Sequence, residues 1–152
     1  MDADKINLML STKFRDVDEA LDFIELNIVE KHDPIDFPVE HTFTKGLYSR
    51  EVFMPAGSLL TSKIHKTEHQ FRIRKGHVAV LDQNGEWQFL EEGHKGITYP
   101  GTRRLLYCFT DTLWETYHPT NKTTVEEVEE EIIERHENRF IGDLKNIELC
   151  HG

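Results

Sequence analysis

Residues 63–76 read KIHKTEHQFRIRKG, and two periodicities compete within them. His65-Lys66-Thr67-Glu68-His69 spells H-x-x-E-H, which on a long helix sets two imidazoles one turn apart, as in one group of zinc peptidases. The continuation FRIRKGHVAVL (71–81) instead alternates with the period of a strand, and the segment is hemmed in between Gly57 and Gly76. The strand reading is the stronger. It makes Lys66-Thr67-Glu68 a tight connection or an irregular stretch, and because 65 and 69 differ by an even number, both rings can face one cavity.

The surroundings support a β context. From about Pro38 to Thr120, short runs of aromatic and β-branched residues are punctuated by Pro55-Ala56-Gly57, Lys75-Gly76, Asn84-Gly85, Glu92-Gly93 and Pro100-Gly101. Turn signals at such spacing predict an all-β sandwich or barrel over 38–120. HVAVLDQNGEWQFL (77–90) is a hairpin, since Asn84-Gly85 suits the left-handed dihedrals of a tight turn. Alternation from His69 sends Phe71 and Ile73 inward and Arg72 and Arg74 outward.

Helices flank the strands. Val17, Leu21, Ile24 and Ile28 recur at helical spacing between Asp16 and Lys31, with Asp33-Pro34 beyond the stop. Thr124 and Glu127 form a capping box that opens a second helix over 124–140, with Val125, Val128, Ile132 and Phe140 as its buried stripe. Its many glutamates read as a solvated outer face.

A chain of 152 residues with 38% hydrophobic content is expected to form a single domain, 1–152, whose core needs no metal or disulfide staple. The only cysteines, Cys108 and Cys150, lack C-x-x-C spacing and read as free thiols, with Cys108 in a strand core. A net charge of −10 argues against nucleic acid or an anionic membrane as partner. No run approaches the roughly 20 apolar residues of a membrane span. The N-terminal MDADKINLML is acidic where a secretory signal is basic, so the expected location is the cytoplasm.

The motif spacing resembles the cupin superfamily. Gly57 leads, His65 matches the second histidine of that family's H-x-H pair, and His69, with six residues between it and Gly76, stands where the family has a glutamate. Lys63 occupies the first histidine position. The second motif, P-x-G followed by a histidine, is echoed by Tyr99-Pro100-Gly101-Thr102-Arg103-Arg104, with Arg104 near the histidine's place. His118 in LWETYHPT is the best replacement ligand, because alternation puts Trp114, Thr116 and His118 on one face and Leu113, Glu115 and Tyr117 on the other. Over about residues 38–134, SREVFMPAGSLLTSKIHKTEH, YPGTRRLLYCFTDTLWETYHPT and EEVEEEII together resemble the small cupin-like proteins of tailed bacteriophages.

The resemblance implies a double-stranded β-helix, a jelly-roll barrel, with flanking N-terminal and C-terminal helices. In that barrel His65, His69 and His118 would hold a divalent transition metal: zinc, iron, nickel or manganese. Lys63, Arg103 and Arg104 stand near the two motifs and suit an anionic or sugar-like small molecule. Glu68 and Glu115 are candidates for a general base or an extra ligand, and Tyr107 for handling protons. The remaining histidines, His32, His41, His77, His94, His136 and His151, read as surface groups. Homodimerisation through edge strands is expected. An alternative is a non-catalytic accessory protein whose barrel is a scaffold for a phage or host protein.

Overall fold

The computed structural model describes residues 3–27 and 37–134 and the backbone of 140–143. Two helices, α1 (Ala3–Ser11) and α2 (Val17–Asn27), precede nine strands. These are β1 (Val39–Thr44), β2 (Leu47–Met54), β3 (Ser58–Thr61), β4 (His69–Lys75), β5 (His77–Leu81), β6 (Trp87–Glu91), β7 (Lys95–Thr98), β8 (Leu105–Cys108) and β9 (Thr112–Pro119). Helix α3 (Val125–Ile132) and strand β10 (Phe140–Asp143) follow.

The strands make two five-stranded sheets, β1-β2-β9-β4-β7 and β10-β3-β8-β5-β6, and every pairing is antiparallel. Met54, Leu60, Phe71, Ile73, Val78, Val80, Leu106, Cys108 and Trp114 fill the space between the sheets. The second sheet is apolar on its outer face as well. There Leu59, Ala79, Leu81, Leu105 and Tyr107 pack against Ile6, Met9, Val17, Ala20, Leu21 and Ile24 of α1 and α2. This double burial explains why β3 and β8 are buried at every position rather than alternately. The first sheet has polar and charged residues on its outer face, and β9 alternates buried and half-buried along its length.

The 77–90 hairpin forms with Leu81 opposite Trp87. Gly85 has φ of +78° and packs its α-carbon onto the chain between α1 and α2, where an added Cβ would clash with the Phe14 carbonyl oxygen. Gly85→Ala is therefore expected to lower stability by about 3 kcal/mol, combining left-handed strain with a backbone clash, as read by chemical denaturation.

The expected helix at 16–31 appears as Val17–Asn27, and residues 28–36 lie outside the described ones. Helix α1 was not anticipated. Its signal is Ile6 and Met9, both buried at a spacing of three. The expected capping box is present, with the Glu127 amide donating to Thr124 Oγ1 at 3.3 Å and that hydroxyl donating to Glu127 Oε1 at 2.9 Å. Helix α3 nevertheless ends at Ile132 rather than continuing to 140, and Phe140 opens β10. The stop is set by tertiary contacts. Ile133 is extended and bridges His65, while the Glu134 amide donates to the Ile64 carbonyl at 2.9 Å. Cys108 is a buried free thiol, its pKa pushed up to about 12 by desolvation; Cys150 lies outside the described residues. No helix among the described residues is long and apolar enough to cross a membrane.

Candidate metal centre

Three segments bring His65, His69 and His118 together. His65 sits in the crossing between β3 and β4, where its carbonyl accepts from the Gly101 amide at 2.9 Å and the Lys66 amide donates to the Ile132 carbonyl at 2.7 Å. No helix forms over H-x-x-E-H, and Lys66-Thr67-Glu68 is a short connection into β4. His69 opens β4, and the register that sets Gln70 opposite Tyr117 places it alongside His118 on β9. Ring centroids lie 4.3 Å apart for His65 and His69, 4.4 Å for His69 and His118, and 5.3 Å for His65 and His118. One nitrogen from each ring falls within 4.8 Å of the others.

All three rings are buried. Desolvation, reinforced by the neighbouring imidazoles and Arg50, holds the pKa of His65 down to about 2. The same burial, with His69 and Arg50 adding to it, holds His118 down to about 3, and burial also lowers His69. At neutral pH the cluster is uncharged, which is the state in which imidazole offers a lone pair.

Hydrogen bonds define which nitrogen each ring keeps open. His69 Nδ1 is 3.2 Å from the Thr67 carbonyl, leaving Nε2 free to face the other rings. His118 Nε2 is 2.8 Å from Thr116 Oγ1, and its Nδ1 is buried with no partner among the described residues. His65 hydrogen-bonds the Lys63 backbone, and its buried Nε2 is likewise without a partner. An orphaned buried acceptor costs about 1–3 kcal/mol. Two in one cluster, each on a ring anchored through its other nitrogen, are the pattern of ligands shaped for a cation. The residues fit a metal of the imidazole-binding kind, with no carboxylate in the set.

His65 and His69, with Thr116, border a cavity of about 70 Å³ between the sheets. Val52, Met54, Leu60, Leu106 and Trp114 form apolar walls, and Arg50, Lys63 and Arg104 supply the cationic side chains of its lining. Arg104 donates to Thr98 Oγ1 at 2.8 Å and lies 5.2 Å above the Phe71 ring. Arg103 turns away to pair with Asp18 at 2.9 Å.

The other anticipated site residues lie elsewhere. Tyr107 has the opposite parity to Leu106 and Cys108, so it faces the helices on the far side of the second sheet. Glu115 has the opposite parity to Trp114 and Thr116. On the outer face it pairs with Arg72 at 2.9 Å and Arg74 at 3.5 Å and accepts from Tyr117 Oη at 2.8 Å. Glu68 is exposed and lines a separate groove on the outside of the first sheet. Sequence reasoning missed Arg50 and Tyr48, and it placed Thr116 on the face of His118 without giving it a role. The available signal was the alternation Tyr48, Arg50, Val52, Met54 in YSREVFM, which puts an arginine on an apolar strand face.

Searches of protein-family models and of curated proteins find no match to this sequence. The fold does match solved structures. Ectoine synthase from P. lautus aligns with a TM-score of 0.57 at 11% identity, covering 75% of this chain and 82% of that one. A cupin-2 domain containing protein from Shewanella frigidimarina aligns with a TM-score of 0.47 at 9% identity, covering 58% of this chain and 85% of that one. The architecture is thus the cupin-like double-stranded β-helix with flanking helices, and it carries a three-histidine group able to hold a metal ion.

Proposed function

We propose that this protein is a metal-binding cupin-like protein that binds or transforms a small anionic molecule inside its barrel. The observation that carries this reading is the trio of buried, uncharged histidines, two of which have orphaned ring nitrogens. A zinc, iron, nickel or manganese ion bound there would supply Lewis acidity to a ligand oxygen or to water. The chain's own residues do the rest. Thr116 fixes the orientation of His118, the apolar walls exclude water, and Arg50 and Arg104 favour negative charge beside the histidines. The resemblance in the 49–69 and 99–120 segments supports a phage origin and action in a host cytoplasm.

Near-stoichiometric metal is expected in protein purified without a polyhistidine tag or chelator, and none in the His65, His69 and His118 triple alanine variant. Elemental analysis reads both. A metal-free wild type with unchanged folding in the variant would instead favour the second reading, a scaffold that binds protein through its sheet edges. What supports that reading is Phe89, which is 63% exposed on edge strand β6. The same edges would serve a homodimer.

A further inference from the structure

Arg50 occupies the inward face of β2 with Tyr48, Val52 and Met54, directly opposite Thr116 of β9. It is 9% exposed and lines the cavity beside the histidines. Its guanidinium hydrogen-bonds Tyr48, yet its Nε is buried with no partner, and no carboxylate forms an ion pair with it among the described residues. Glu129 acts on it only through space. A buried guanidinium without a counter-ion is costly, and its five donors form a fork that matches a carboxylate or a phosphate. The walls decide between those two. Phosphate presents oxygen on every side and would press some of it against Val52, Met54, Leu60, Leu106 or Trp114, whereas a short carboxylate offers charge at one end and hydrocarbon at the other. A cavity of about 70 Å³ is roughly half the size of an apolar cavity that takes up benzene, which favours a chain of only a few carbons.

We propose that the barrel takes a short-chain monocarboxylate, its carboxylate anchored by Arg50 and its hydrocarbon end against the apolar walls. This rests on the reading of the barrel as a small-anion site and names the class of anion; Arg104 at the rim adds attraction without an ion-paired carboxylate of its own among the described residues.

The test is calorimetric titration of zinc-loaded and chelator-stripped protein with propanoate, propanamide and inorganic phosphate, with metal content measured in each sample. Propanoate is expected to bind and the other two not to. Arg50→Gln should weaken propanoate at least about tenfold, because a charge-assisted pair is lost, while metal content stays unchanged. Arg50→Lys, which keeps the charge and loses the fork, should also weaken it and guards against a folding defect in the first variant. Propanoate affinity in both variants equal to that of the wild type, preference for phosphate, or metal-loaded protein indifferent to propanoate would each overturn the inference while leaving the metal reading intact. Arg50-dependent propanoate binding to protein that never takes up metal would uphold the inference and sink the metal reading alone.

Discussion

Stripped of metal, the protein is expected to lose on the order of 4 kcal/mol of stability as the pH falls from 7 to 5. In the folded chain His65 and His118 titrate at about 2 and about 3, against 6.5 for an exposed imidazole. The unfolded chain therefore binds at least two protons through this window that the folded chain does not, and His69, whose pKa burial also lowers, acts in the same direction. The stabilisation is complete above about pH 6.5 and declines as the pH falls toward the folded values, by about 1.4 kcal/mol per unit for each ring. At pH 5 each ring has cost about 2 kcal/mol. Acid loss from Glu115 falls in a separate window, because against the upward pull of burial the Tyr117 hydroxyl and the Arg72 and Arg74 guanidinium groups hold its pKa below the ordinary 4.5. Urea unfolding in chelator at pH 7, 6 and 5 reads the effect, and replacing both histidines with leucine should remove most of it. A flat profile in the wild type would mean that the two rings accept protons without unfolding.

The second large effect concerns the ligands one at a time. Alanine at His65, His69 or His118 is expected to lower metal affinity by more than about 100-fold, since each removes one of three donors, whereas Thr116→Val should cost about tenfold by loosening His118. Competition against a chromogenic chelator separates these magnitudes. A histidine whose loss leaves affinity unchanged does not belong to the ligand set.

The strands were legible because their periodicity is local. His69, Phe71 and Ile73 alternate with outward residues on β4, and Trp114, Thr116 and His118 do so on β9, so two ligands could be placed from parity alone. His65 followed from its even spacing to His69. Two of the candidates that lie away from the cavity share one cause. Tyr107 and Glu115 were chosen for their chemistry, but parity puts both on the outer faces of their sheets. The end of α3 was illegible for a different reason. The run after Glu131 has strong helical composition, and what stops it is pairing with the His65 segment some seventy positions earlier, which no local pattern encodes. Arg50 was within reach, since a cation among Tyr48, Val52 and Met54 breaks the pattern of its strand face.

That pairing of the His65 segment with the residues around Ile133 also fixes an order of assembly. A chain leaving the ribosome carries all three histidines before the end of α3 emerges, so the backbone at Ile64 and Lys66 has no strand to join until Ile132 and Glu134 arrive. The sandwich core can collapse without them, because none of its residues comes from α3. One ligand of the proposed centre thus waits on chain synthesised well after the barrel. A metal held by the three histidines would then be taken up only once α3 has docked on the His65 segment, not when the β-sandwich forms.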